Sequence, residues 1–385
     1  MARVEGYCDR AFVGVLDLFE RHLETGTDLG ASVAVRLGDR LVVDLWGGHT
    51  DADRTRPWGP DTLVNVWSTT KGAVALVAHL LADRGLLDLD APVARYWPEF
   101  AAAGKQDVTV RHLLSHRAGL PVLRQPTTVR DLYDWTVIVD RLAATEPWWE
   151  PGTVSGYHKV TFGYLVGEVV RRVSGSTVSQ LLRTELAGPL GADFHVGLPD
   201  RDHHRVATLV QAPPENPGER AALLAGLAPV ALATVANPMV IAAAANEPAW
   251  RRAAIPSANG HATARGVADL YGLYAQHGTV GGRRYLGADQ VEIAREGQGA
   301  CTDLVLGPAI GGRQTELGLG VWLSGPDHHF GPNERAVGHD GLGGSFGAAD
   351  PEAELSIGYA TNLMGHHVLD DPRKMALIDA VYAAL

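Results

Sequence analysis

Two cysteines in 385 residues, Cys8 and Cys301, are too few for a disulfide framework, and neither lies in a Cys-x-x-Cys spacing that would suggest a metal. A reducing compartment fits that usage. Positive charge is also in deficit: 33 Lys and Arg against 44 Asp and Glu give a formal net charge of -11. No Lys/Arg run interrupts this balance. Attraction to nucleic acid or to an anionic membrane surface is therefore not expected, because both need basic patches. An apolar leader is missing as well. Met1-Ala2-Arg3-Val4-Glu5-Gly6 has no hydrophobic core, so no signal peptide is expected and a cytoplasmic location is. The longest apolar stretch, residues 221–245, is broken by Pro229 and by Asn237-Pro238. A membrane span needs roughly 20 apolar residues without such breaks. Helices packed within a domain are the default there, and a segment lining or covering a cleft is the alternative.

What is present is an ordinary globular composition, long enough for one large domain or two coupled ones. Residues 9–24 carry Phe12, Val15, Leu16, Phe19 and Leu23 near helical spacing. Residues 31–37 and 41–46 flank Gly38-Asp39 and read as a hairpin. Residues 69–84, closed by Gly85, read as a helix opening at or just after Ser68. Helical segments over 108–115, 129–144 and 160–174 dominate the middle, and 264–276 is helical again. Residues 318–323, 335–337, 345–349 and 355–361 read as strands, and 371–385 as a closing helix. This order predicts an α/β (α+β) architecture, an antiparallel sheet flanked by helices. Residues 1–87 and 251–385 form the α/β domain, and 88–250 a mostly helical inserted domain. A cleft between two such units is the expected small-molecule site.

The sharpest chemical signal is Ser68-Thr69-Thr70-Lys71. Two residues three apart on a helix share a face. A serine hydroxyl is a weak nucleophile until a neighbour takes its proton. A lysine one turn away can do so once desolvation lowers its pKa. The helix N-terminus adds partial positive charge and free N–H groups for an oxyanion. Ser-x-x-Lys alone is unspecific, and Ser68 as a plain N-cap is the competing reading. The context sharpens it: apolar Leu63-Val64-Asn65-Val66-Trp67 precedes the motif, and Ala73, Val74, Leu76 and Val77 follow.

The stretch Leu63-Val-Asn-Val-Trp-Ser-Thr-Thr-Lys-Gly72 resembles the nucleophile region of class C β-lactamase-like serine hydrolases, in the family VIII carboxylesterase branch. Further segments resemble that family in the same order. They are Gly85-Leu-Leu-Asp-Leu-Asp-Ala-Pro92, Leu113-Leu-Ser-His-Arg-Ala-Gly-Leu-Pro121, Pro151-Gly-Thr153, residues 156–168, Ile255-Pro-Ser-Ala-Asn-Gly260 and Gly338-His-Asp-Gly341. The resemblance covers nearly the whole chain. It implies a β-lactamase/penicillin-binding-protein-like fold, with Ser68 acylated, Lys71 as its proton partner and Tyr157 as the tyrosine of the second motif. A phenol beside ammonium charges is expected to have its pKa lowered and to shuttle protons. Read without the family, Tyr157 is a core tyrosine with a bonded hydroxyl.

Two departures narrow the expectation. The second motif often continues Tyr-x-Asn, but here it is Tyr157-His158-Lys159, so the asparagine that would contact an acylamino side chain is missing. The third motif, Lys-Thr-Gly in relatives, is His339-Asp340-Gly341. Histidine is largely neutral at pH 7, so an obligatory substrate carboxylate is not expected. Both departures argue against a β-lactamase or D-amino-acid peptidase. By position, the backbone N–H of Leu342 joins that of Ser68 as the oxyanion pair. Gly341 is expected to leave room for substrate. His339, His158, Trp148 and Trp149 are the other candidate substrate-binding residues, with core packing the alternative for the tryptophans.

Gly343-Gly344-Ser345-Phe346-Gly347 fits the Gly-x-Ser-x-Gly elbow, but that motif needs a helix after the serine, and strand patterning follows here. The pairs His203-His204, His328-His329 and His366-His367 are read as loop histidines, since neighbours point apart. No metal and no cofactor are expected. The expectation is a serine carboxylesterase-type hydrolase acting on a small-molecule ester through an acyl-enzyme. An acyltransferase using an amine or alcohol acceptor is the alternative on the same residues. A homo-oligomer is compatible with the sequence.

Overall fold

The computed structural model describes residues 4–213 and 226–385. Ten strands and six helices frame the site. The strands are β1 (Val4–Cys8), β2 (Gly30–Leu37), β3 (Arg40–Gly48), β4 (Val64–Asn65), β5 (Phe194–Val196), β6 (Gly260–Ala262), β7 (Trp322–Leu323), β8 (Val337–Asp340), β9 (Phe346–Asp350) and β10 (Leu355–Thr361). The helices are α1 (Val13–Thr25), α2 (Thr70–Asp83), α3 (Trp135–Ala144), α4 (Thr161–Ser174), α5 (Ala264–Ala275) and α6 (Pro372–Tyr382).

The main sheet runs β1-β3-β2-β10-β9-β8-β7, antiparallel throughout. The two ends of the chain meet at the β2–β10 pairing, where Val33 lies opposite Tyr359. Side chains alternate across the sheet. Val33, Val35, Ile357 and Tyr359 join a core with Val15 and Phe19 of α1 and Leu377 and Ile378 of α6. Ala34, Ala349 and Ala360 belong to the opposite core, with α5 and α2. Small residues on that face let α5 settle onto the strands: a Cβ at Gly358 would lie 2.1 Å from the Ala264 carbonyl.

A second, three-stranded sheet of order β4-β6-β5 supports the start of α2. Its strand β5 comes from the helical middle of the chain. The expected helix over 129–144 begins only at Trp135, where the Asp134 side chain accepts from the N–H of Val137. The expected strand 318–323 shrinks to β7, because Gly318 to Val321 closes as a turn. Strand β1 has no apolar alternation to announce it; its central residues are exposed at the sheet edge. Among the described residues no helix is long and apolar enough to cross a membrane.

Candidate active site

Trp67 holds a left-handed φ of 48°, a strained conformation for a bulky residue, and turns the chain from β4 into α2. Ser68 follows on the turn and is half-buried. The next residues lock the turn down. Thr70 Oγ1 accepts from the N–H of Gly260 at 2.9 Å, and the Tyr271 hydroxyl donates to the Thr69 carbonyl at 2.9 Å. Gly72 is needed for this packing, since a Cβ there would meet the Tyr271 oxygen at 2.3 Å.

Lys71 is fully buried on the first turn of α2. Its Nζ lies 3.1 Å from Ser68 Oγ, 2.9 Å from the Lys159 carbonyl and 2.9 Å from the Ser257 carbonyl. Among the described residues no carboxylate is bonded to it. Burial, and then the charge of Lys159, push the ammonium well below its usual value. A neutral amine has two N–H groups and one lone pair. The two carbonyls can only accept, so they take the N–H groups, and the lone pair is left for the Ser68 hydroxyl.

Tyr157 is brought to the same point. Its hydroxyl is hydrogen-bonded to Ser68 and lies 3.5 Å from His339 Nε2, and Lys71 Nζ sits 4.7 Å from its ring centre. The backbone around it is held on three consecutive N–H groups. Gly156 donates to the His116 carbonyl, Tyr157 to Asp303 Oδ1 at 3.0 Å and His158 to His116 Nδ1 at 2.8 Å. The expected lowering of the phenol pKa is not found. Burial pushes it above its usual value, the Ser68 hydrogen bond opposes this, and the Asp303 and Asp340 carboxylates push it further up. The physical reason is that the cost of burying a phenolate outweighs the one hydrogen bond that favours it. Tyr157 therefore keeps its proton.

His339 is buried, and burial holds its pKa well below the usual value, so it is neutral. Its Nδ1 is 2.8 Å from the Asp340 carbonyl, which only accepts, so Nδ1 carries the proton. Nε2 then presents a lone pair toward the phenol. Among the described residues neither the Ser68 nor the Leu342 N–H donates to a protein acceptor, and both residues line one cavity.

That cavity holds about 590 Å³, a size that suits a drug-sized ligand, for which pockets run about 300–1,000 Å³. Ser68, Tyr157, His339 and Leu342 lie along it, while Trp67, Val240, Trp250, Leu306 and Met364 make much of its wall apolar. The apolar stretch 221–245 lines the cavity through Val235, Met239, Val240 and Ile241; its residues 221–225 lie outside the described residues. Met239 and Ile241 are also exposed to solvent at the rim.

Several expected contacts are corrected. His158 does not reach the cavity: Nδ1 bonds the Gly156 carbonyl, Nε2 accepts from Leu120 N–H, and burial pushes its pKa down to about 3. Trp148 and Trp149 form a second layer, their indole N–H groups spent on the Val122 and Val154 carbonyls. Gly341 makes room for protein rather than substrate, since a Cβ there would lie 2.4 Å from the Val66 carbonyl. Ser345 is buried and is followed by strand β9, not by a helix, so no elbow is formed.

Three contributors were missed. Asp303 is buried and accepts from the N–H groups of Tyr157, Val305 and Leu306 and from the Ser155 hydroxyl. Ser257 supplies its carbonyl to Lys71 while its Oγ ties Gly163 N–H to the Val160 carbonyl. Arg373, on α6, donates to the Gly343 and Leu363 carbonyls and to Asp28 and Asp371, bracing the turn that carries Leu342. His328, expected as a plain loop residue, is buried beside Asp340 and Asp370. The spacing of these three would suit a metal ion, but the Lys374 ammonium already lies 3.1 Å from Asp340 and 2.7 Å from Asp370.

Comparisons with known proteins show the family. The Beta-lactamase family model matches residues 17–381. The chain is 37% identical to "Esterase/beta-lactamase LipL" of Mycobacterium tuberculosis, over 94% of this chain and 83% of that protein. A crystal structure of a family VIII carboxylesterase superposes with a TM-score of 0.92 at 42% identity, covering 100% of both chains. A penicillin-binding protein homologue from Caulobacter crescentus superposes with a TM-score of 0.86 at 40% identity, again over 100% of both.

Proposed function

We propose that this chain, which belongs to the Beta-lactamase family, is a serine carboxylesterase that cleaves its substrate through an acyl-enzyme on Ser68. The observation that carries this reading is the surroundings of Lys71. Two carbonyls hold its N–H groups, and the remaining lone pair faces a hydroxyl 3.1 Å away. That is a base aimed at a nucleophile.

Ser68 Oγ attacks the ester carbonyl as Lys71 takes its proton. The developing oxyanion is received by the N–H groups of Ser68 and Leu342, which are uncommitted among the described residues. Tyr157, protonated and bonded to Ser68, donates to the departing alkoxide and is recharged by the Lys71 ammonium. Water then attacks the acyl-enzyme with the same groups in reverse. The ester function of the LipL relative and of the family VIII neighbour supports this reading.

The test is covalent. A fluorophosphonate is expected to label Ser68, and p-nitrophenyl butyrate is expected to be hydrolysed by the wild type and not by Ser68→Ala. Turnover that survives Ser68→Ala rejects the mechanism. Transfer to an alcohol shares the same acyl-enzyme. It is favoured by the apolar wall, which limits the water near Ser68. Formation of a new ester in added methanol tests for it.

A further inference from the structure

Lysine is rare in this chain, which has four: Lys71, Lys105, Lys159 and Lys374. Three of them are ringed by acceptors. Lys71 meets the Ser68 hydroxyl and two carbonyls, Lys105 meets three carbonyls, and Lys374 meets two carboxylates. Lys159 differs. Among the described residues its ammonium makes no hydrogen bond and no ion pair. It lines the apolar cavity together with Ser68 and Tyr157.

Its place is fixed close to the reaction centre. The backbone carbonyl of Lys159 is 2.9 Å from Lys71 Nζ, which is itself 3.1 Å from Ser68 Oγ. The Lys71 ammonium group thus bridges the Lys159 backbone and the Ser68 hydroxyl. A cation in an apolar enclosure is costly unless something neutralises it. Asp340 also lines the cavity, but its carboxylate is committed to Lys374. A perturbed, unpaired charge in a cleft marks a site of use. The overall charge of -11 offers no general attraction for anions, so any anion must be held locally.

We propose that Lys159 anchors an anionic group on the acid portion of the substrate, so that the cavity takes esters carrying a second, free carboxylate. The inference rests on the esterase reading above. His339 removes a cation at the third motif; Lys159 supplies one at the second. Burial pushes the Lys159 ammonium down only to about 8, so it remains charged at neutral pH. An apolar spacer between ester and carboxylate would lie along Trp67, Val160 and Trp250.

The experiment compares p-nitrophenyl valerate with the p-nitrophenyl monoester of glutaric acid, which has the same carbon count and adds a carboxylate. The wild type is expected to show the lower KM for the glutarate. In Lys159→Met the ratio of the two KM values should shift by about ten- to a hundredfold against the glutarate, the range set by a hydrogen bond to a charged group. Lys159→Arg should keep the preference. Loss of the Lys159 charge also relieves Lys71, but that change is common to both esters and cancels in the ratio. A wild type without the preference, or a Lys159→Met ratio equal to that of the wild type while Ser68 is still labelled, overturns the inference alone. A wild type that cleaves neither ester and resists labelling at Ser68 overturns the esterase reading with it.

Discussion

The carboxylate of Asp303 and the backbone N–H of Tyr157 meet at 3.0 Å across 146 residues of sequence. The same oxygen accepts from Val305 and Leu306, which line the cavity. One buried side chain therefore sets both the phenol and part of the wall. Asp303→Asn should be mild. Its amide oxygen still accepts the three N–H groups, and the Ser155 hydroxyl can turn from donor to acceptor. Asp303→Ala should lose about 1–3 kcal/mol for each buried N–H left unmatched. Its kcat should fall further than its KM changes. Thermal melts and ester kinetics on both variants decide; equal damage from Asn and Ala would remove this account.

The Lys71 amine is expected to act without its proton. Activity should therefore persist well below pH 10.5 and fall on the acid side as the amine is protonated. Tyr157, pushed above its usual value, should add no alkaline loss up to about pH 10. Lys71→Arg keeps a cation that cannot give up its proton, and kcat/KM should drop by about 10²- to 10⁴-fold. A pH profile of kcat/KM whose acid limb sits near 10 would contradict the neutral amine.

Gly341→Ala places a Cβ against the Val66 carbonyl and 2.9 Å from Thr69 Oγ1. Neither neighbour is a flexible side-chain tip, so the strand must move away from the nucleophile turn. The Leu342 N–H moves with it. A loss of about a hundredfold in kcat is expected, comparable to removing one oxyanion donor. Wild-type kcat in this variant would show that Leu342 takes no part.

Acid stability provides a separate check. Burial holds His79 at about 4 and His158 and His261 at about 3 in the folded protein. Unfolded, each regains a pKa near 6.5. The unfolded chain thus binds more protons between pH 6.5 and about 4, and stability falls as pH drops through that window. Each histidine contributes up to about 1.4 kcal/mol per pH unit. Denaturant midpoints that stay flat from pH 6.5 to 4.5 would show these rings to be protonated inside the fold.

The site was legible where its chemistry is local in sequence. Ser68 and Lys71 share a helical turn, and the Tyr157 motif stands out by its residues. What escaped depends on backbone groups and distant partners. The carbonyls of Lys159 and Ser257 leave no side-chain signature at Lys71. Asp303 sits in a loop, with only a single aspartate to mark it. His158 follows Tyr157 and Trp149 precedes Pro151-Gly152-Thr153, and adjacency suggested a cavity role, yet local hydrogen bonds hold both rings elsewhere. Helices α2, α4 and α5 were readable from periodicity. Strand β1 was not, because an exposed edge strand needs no apolar face.

The brace from Arg373 separates two tasks along the polypeptide. Ser68, Lys71 and Tyr157 are drawn together by α2 and the segment before α4. The strut under the Leu342 turn comes from helix α6, 30 residues beyond Gly343. Support for the second backbone donor is thus encoded apart from the hydroxyl, amine and phenol, so substitutions in α6 can retune that donor and leave the other three in place.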